Sequence, residues 1–437
     1  MSGYTINPTT GALTAIVGSP FAAENNPYSV TMDPSGKFAY VANLFDNNIS
    51  GYTINPTTGA LTALAGSPFA GGIRPISIAF ARAKPSVHAV YITNEGSKNV
   101  SVINPSTNTV VSTVTVGPNP IDAALTPNGA AAYITNAGAN TVSVINTATN
   151  SLTATITVGW RPVDAVVTPD GSSVYVTNAG SNSVSVISTA TNTVVASIAV
   201  GVDFMAHAGW TFLDHRRRSD PVHVAIAPDG ARVYVTNAGS HNVSVIDIAT
   251  HSVTATVRVG RTPLDVALTA DGARAYVVNA ETNSISVIYT RTNSAIATVA
   301  IGAHPLHVAI TPNGASAYVA DAGANSVTVI NTVTNTVVAN VGVGAIPVDV
   351  SISPDGSHAY VTNAGAKSVS AIDTATNTVR ATVGVEFIPV HVSISADGAH
   401  AYVTNAGSNS VSVIDTSTNA VSATVPVGVL PVNGAIF

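Results

Sequence analysis

Nine tyrosines mark off this chain at near-regular intervals, and that spacing constrains the fold more than any other feature. Tyr40, Tyr91, Tyr133, Tyr175, Tyr234, Tyr276, Tyr318, Tyr360 and Tyr402 are separated by 51, 42, 42, 59, 42, 42, 42 and 42 residues. Each stands in a Tyr-Val-Thr-Asn-like tetrad, followed by a small Gly/Ser/Asn turn and a second alternating run, as in Val174–Ile187. A period of about 40–45 residues that holds four strands is the signature of a propeller blade.

One unit, read from Pro347, carries the four strands. PVDVSISP alternates apolar and polar residues with a strand's period of two. Asp355-Gly356 then makes a hairpin turn in which Gly supplies the positive φ. AYVTN (Ala359–Asn363), SVSAID (Ser368–Asp373) and Thr378–Val385 follow, separated by turns at Ala364–Lys367 and Thr374–Asn377. Such a sheet cannot bury its own faces, so neighbouring sheets must stack, and closing the stack into a ring limits exposed edges. The expected fold is all-β: a single propeller of about nine four-stranded antiparallel blades, within a range of about eight to ten.

The tetrads and the Pro-Asp-Gly turns resemble the YVTN-type β-propeller repeats of bacterial and archaeal surface and secreted proteins. That resemblance covers roughly Ala89–Phe437, and residues 79–437 are assigned to it. Residues 1–78, with NPYSVTMDPSGKFAYVAN and SGYTINPTTGALT, are more similar to the repeats of the lactonase-like seven-bladed propellers. Both resemblances imply propeller architecture, and neither implies one activity.

The ends of the chain bear on closure. Ser2–Phe21 nearly duplicates Ser50–Phe69, while Pro431–Phe437 reads as only the first strand of a further unit. The N- and C-terminal strands are therefore expected to complete one composite blade. Pairing of the same ends between molecules would instead build a head-to-tail homo-oligomer.

Composition narrows the partners. Charged residues make up 9% and the net charge is −6, against roughly a quarter charged in ordinary domains. Solubility must come from Ser, Thr, Asn and Gly, and a nucleic-acid backbone would want a basic face that this chain lacks. There are no cysteines, so disulfides and thiolate metal sites are excluded. No apolar run approaches the roughly 20 residues of a membrane-crossing helix. The opening MSGYTINPTT has neither the basic nor the apolar region of a signal peptide. The Thr/Asn-rich, Lys-poor composition nevertheless favours an extracellular or cell-surface setting over the cytoplasm.

Candidate chemistry gathers at one place in the repeat. The first strand of each blade lines the central channel, and the residue two after its opening proline belongs near the channel mouth. Round the ring that position holds Ser29, Ser77, Asp122, Asp164, His223, Asp265, His307, Asp349, His391 and Asn433. From Asp164 to His391, Asp and His alternate. His223, His307 and His391 are candidate ligands of a divalent transition metal. With Asp265 and Asp349 they are also candidate acids and bases, and the whole set reads equally as polar lining of a wet channel.

The 59-residue gap inserts residues 202–220 at the same end of the blades. This loop brings His207, Trp210, His215 and the run Arg216–Arg218, with Arg217 at its centre, and is a candidate lid. Trp160, Arg161, Arg261, His304 and Phe387 lie in equivalent short loops and are expected to fringe the mouth. HExxH, GxSxG, P-loop and strand-linked GxGxxG motifs are absent. Asn48, Asn99 and Asn242 head N-x-S triplets, acceptors for glycans where a host attaches them. Two functions follow: a non-catalytic binding or structural propeller presenting its loop face to a protein, glycan or small molecule, or a hydrolase or lyase-like enzyme using the Asp/His mouth.

Overall fold

In the computed structural model the described residues are 4–6, 13–16, 18–32, 38–55, 58–70, 89–201 and 220–436. They fall in two compact units, Met1–Lys84 and Pro85–Phe437. Among the described residues there is no helix, and hence none long and apolar enough to cross a membrane.

The first unit holds the hairpin Tyr4–Ile6/Leu13–Ala15 and one sheet. That sheet is built from Pro27–Met32, Phe38–Asn43, Asn48–Ile54 and Leu61–Ala63, with Phe69–Ala70 beside the third strand. The second unit holds eight four-stranded antiparallel sheets. Blades 2 to 8 each run in chain order from the innermost strand outward. They span Pro120–Thr157, Pro162–Ala199, Pro221–Arg258, Pro263–Ala300, Pro305–Gly342, Pro347–Gly384 and Pro389–Pro426.

Blade 1 is composite. Its outer three strands are Val90–Asn94, Asn99–Asn104 and Thr109–Thr115, and its innermost strand is the C-terminal Pro431–Ile436. Pro431 pairs with Asn94 and Ile436 with Val90. The C-terminal strand thus completes a blade, but its partner is the Tyr91 tetrad strand, not the chain's opening residues. The innermost slot beside that tetrad strand is filled 340 residues later in the chain, and residues 71–88, which carry the sequence expected to fill it, lie outside the described residues.

Each blade's buried face packs on the next, and the last cluster joins blade 8 to blade 1. The innermost strands likewise touch in a cycle that returns to Pro431–Ile436. Eight blades, the lower end of the expected range, therefore close Pro85–Phe437 on itself, and the Tyr40 repeat belongs to the first unit.

The tetrad explains why the sheets stack. Tyr133, Tyr175, Tyr276 and their equivalents in the eight blades are fully buried. Their hydroxyls cross to the next blade's outer turn: Tyr133 donates to Asn192 Oδ1 at 2.7 Å, Tyr276 to Asn335 at 2.7 Å and Tyr318 to Asn377 at 2.6 Å. The tetrad Thr takes the N–H of an innermost-strand residue, as Thr135 Oγ1 does from Asp122 at 3.0 Å. The tetrad Asn donates to a serine of the third strand, as Asn178 does to Ser185 Oγ at 3.0 Å. At the closing interface Tyr402 Oη and Asn108 Oδ1 are buried, and each lacks a partner.

In blade 6 the tetrad residue is Asp321, fully buried, with Thr328 Oγ1 donating to it at 2.6 Å. Burial pushes its carboxyl up to about 6. A raised folded-state value gives stability that is full below the ordinary carboxylate range and is lost as pH rises through about 6. Asp321→Asn is therefore expected to raise unfolding free energy at mildly alkaline pH by about 1–3 kcal/mol. It should change little in acid, as read by chemical denaturation at both pH values.

Every outermost strand of the eight blades slips its register against the third strand, as between Val144 and Ile145 or Val329 and Ile330. Asn242 is buried, and its Oδ1 accepts from Asn237 Nδ2 at 2.8 Å, so the folded chain does not present that triplet to a glycan-transferring enzyme.

Candidate functional site

The eight innermost strands bring one belt of side chains together: Asn433, Asp122, Asp164, His223, Asp265, His307, Asp349 and His391, one from each blade in order. All eight are expected mouth positions, seven of them Asp or His. Ser77 lies outside the described residues, and only the backbone of Ser29 is described, in the first unit.

The carboxylates connect neighbouring strands. Asp265 accepts the N–H of Val266 in its own blade through Oδ1 at 2.7 Å, and that of Val308 in the next through Oδ2 at 2.7 Å. Asp349 takes Val350 and Val392 in the same manner, both at 2.9 Å. Asp164 takes Ala165 at 3.0 Å and Val224 at 2.8 Å. Each of these residues is followed by a backbone N–H that needs an acceptor once buried. One aspartate has two oxygens and serves two blades, so alternate blades need none of their own. That is a physical reason for the alternation.

His223 and His307 lie between carboxylates, and His391 lies between Asp349 and Asn433. His223 Nδ1 is 3.1 Å from Asp265 Oδ1, His307 Nδ1 is 3.1 Å from Asp349 Oδ1, and His391 Nδ1 is 3.0 Å from Asp349 Oδ2. His391 Nε2 meets Gly434 O at 3.1 Å and Ser393 Oγ at 2.9 Å. Burial alone would raise Asp349, but His307 and His391 on either side hold it well below the carboxylate range. Burial would lower His391, and the Asp349 charge overrides it and raises the imidazole. The belt borders a cavity of about 390 Å³ whose lining includes His307, Asp349, Ser351, His391 and Ser393.

A metal does not fit this arrangement. Among the described residues no three His, Asp or Glu side chains are grouped to hold an ion. The three histidines expected as ligands stand on alternate blades, and each faces an adjacent aspartate instead of a shared centre.

Above the belt lies a rim. The residue before each strand-opening proline has a left-handed backbone: Asn119, Arg161, Asp220, Thr262, His304, Ile346, Ile388 and Leu430, with φ between 37° and 55°. Their backbones are fixed alike. The N–H of Arg161, His304, Ile346 and Leu430 is taken at 2.9 Å by an asparagine of the preceding blade's second turn. The carbonyl of Ile388 accepts from Ala406 N at 2.9 Å.

The side chains are not alike. At the outer turns the left-handed residue is Asn in seven of eight blades, His251 being the exception, whereas on the rim it is Asn only at 119. Isoleucine is a poor choice there, because a branched Cβ crowds the carbonyl in this conformation. Trp160 (66% exposed), Phe387 (52%) and Ile388 (48%) point to solvent, as do Ile346, Val429 and Leu430. Lys367 Nζ sits 3.4 Å over the Phe387 ring.

Of the expected fringe, Trp160, Arg161, Arg261, His304 and Phe387 fall in these loops. His207, Trp210, His215 and Arg217 lie outside the described residues. Ile346, Ile388, Val429 and Leu430 were not anticipated. The signal was the mismatch between an apolar residue and the polar residue, most often Asn, found at the other left-handed turns.

The family description "Lactonase, 7-bladed beta-propeller" matches residues 1–80, 25–196 and 109–390. The three placements overlap, so the match carries the repeat and not the blade count. A segment of 53 residues is 45% identical to PE-PGRS family protein PE_PGRS18 of Mycobacterium tuberculosis (strain ATCC 25618 / H37Rv), covering 12% of this chain and only 11% of that protein. Dihydro-heme d1 dehydrogenase NirN is similar in structure, with a TM-score of 0.67 and 14% identity over 82% of this chain and 78% of that one. Kuenenia stuttgartiensis hydrazine synthase gives 0.55 and 23% over 69% and 97%. At such identities both likenesses concern the fold.

Proposed function

Because this chain belongs to the lactonase seven-bladed β-propeller family, whose fold serves many activities, we propose from its own residues that it is a non-catalytic binding propeller. It presents the rim to a protein partner in an extracellular or cell-surface setting. The observation that carries this reading is the rim itself, where a uniform backbone bears a different side chain in almost every blade. Selection for folding alone would favour Asn or Gly at a left-handed, half-exposed position. Isoleucine there costs stability twice, through strain and through exposed apolar surface, and so points to a contact made outside the chain.

The belt supports the same reading. A general acid or base must reach a substrate proton, whereas the belt carboxylates are bonded to backbone N–H groups and the imidazoles face those carboxylates.

Ile388→Asn is expected to raise stability by about 1 kcal/mol, since Asn tolerates the left-handed region. Combined with Phe387→Ser it should abolish capture of partner protein by the immobilised chain, while the chain still melts cooperatively and no lower than the parent. Retained capture by the double variant, or turnover of a lactone panel that ceases in His307→Ala, would overturn the proposal in favour of an enzyme.

A further inference from the structure

One step of the belt departs from the rule that accounts for the others. Aspartate is needed only on alternate blades, and Asp164, Asp265 and Asp349 meet that need for blades 3 to 8. Asp122 of blade 2 is then surplus towards blade 3. The Ala165 N–H already has Asp164 Oδ1 at 3.0 Å, and Asp122 Oδ2 approaches the same hydrogen at 3.1 Å. Two carboxylates converge on one donor.

The surroundings supply little countercharge. Blade 1 offers Asn433, whose neutral amide donates to Asp122 Oδ1 at 2.7 Å. Blade 4 offers His223, whose Nε2 is 3.7 Å from Asp164 Oδ2 and whose Nδ1 is nearer Asp265. Asp265 of blade 5 adds a further like charge. Asp122 is only 8% exposed. Elsewhere in the belt each pair of aspartates is separated by a histidine, and here none intervenes.

We infer that Asp122 and Asp164 share one proton across the joint between blades 2 and 3, and that its loss is an alkaline release built into that joint. With the proton in place one carboxyl donates its O–H to the other and the pair carries a single negative charge. When base removes the proton to solvent, two buried carboxylates face each other over one N–H, and their repulsion falls on the strands that hold them. Burial raises both groups, and the Asp164 charge raises Asp122 further. A raised folded-state value means the folded chain holds a proton that the unfolded chain has released. The joint's contribution is therefore full in acid and falls as pH rises above the ordinary carboxylate value of 3.8. The inference is independent of what the rim binds.

Infrared difference spectroscopy tests it on the full chain carrying Asp321→Asn, which removes the other raised carboxyl among the described residues. Between about pH 5 and about pH 9 the protonated-carboxyl carbonyl band should disappear, and Asp122→Asn, which leaves Asp164 buried without its carboxyl partner, should move the band's frequency and the pH at which it is lost. Asp122→Asn should also melt higher than its parent in base and no higher in acid. Asp122→His, which restores the alternation, serves as a second variant should the first fail to fold. A parent without such a band, or a band whose frequency and pH dependence are unaltered in both variants, overturns the shared proton. A band that behaves as expected with an unaltered pH–melting profile overturns the release.

Discussion

Removing the chain after Leu430 is expected to cost more than about 5 kcal/mol and to broaden unfolding into a non-cooperative transition. The lost strand, Pro431–Ile436, is the innermost strand of blade 1 and follows directly on blade 8 in the chain. Its removal leaves the edge of Val90–Asn94 unpaired along the register from Pro431↔Asn94 to Ile436↔Val90. Ile436 leaves the cluster that joins blades 8 and 1. Asp122 loses the Asn433 amide, while His391 and Ser393 lose Gly434 O. This joint also lacks the tyrosine hydroxyl bond present at the other interfaces, since Tyr402 Oη and Asn108 Oδ1 are both unpartnered, and what remains is the apolar cluster and the bonds from residues 428–430 to the second turn of blade 1. Calorimetry and limited proteolysis at the blade 8–blade 1 joint would read the effect. A truncated chain that melts like the parent would mean that Pro431–Ile436 does not close the ring.

The second large effect is expected at Asp265. Asp265→Ala leaves two buried N–H groups, of Val266 and Val308, without their acceptor. At about 1–3 kcal/mol for each orphaned donor, the loss should be about 2–6 kcal/mol, with unfolding followed by denaturant. The neighbouring His307→Ala should cost less than Asp265→Ala, because no backbone donor depends on the imidazole and the loss is confined to the countercharge it gives Asp349. The contrast separates the two readings of the belt. Carboxylates kept for chemistry should be removable without great loss of stability, whereas carboxylates that connect strands should not.

Much of the architecture was legible because a propeller repeats its instructions. The tyrosine spacing and the alternating runs on either side of Asp355-Gly356 are local patterns, and the strands Pro347–Ile352 and His358–Asn363 follow them closely. The blade count was less accessible. It depends on which strand occupies one slot beside Val90–Asn94, and the strand that does so is the most distant in sequence. The belt positions could be read from their offset after proline, but their partners could not. The bond from Val308 N to Asp265 spans 43 residues and exists only once blades are stacked. The rim was half visible: Trp160 and Phe387 stand out by type, whereas Ile346 and Ile388 become unusual only when the sign of φ is known.

The slipped register of the outermost strands has a consequence for how such a chain remains dispersed. The eight edges on the circumference carry exposed Val111, Val195, Ile296 and Val338, and few charges stand among them. A straight edge of that composition would template strand addition from a neighbouring molecule. The bulge bends each edge and leaves an incoming strand in step with only part of it. Dispersal is then a property of contour more than of repulsion. Salt, which weakens repulsion by screening it, has correspondingly little to act on in a chain of which 9% is charged.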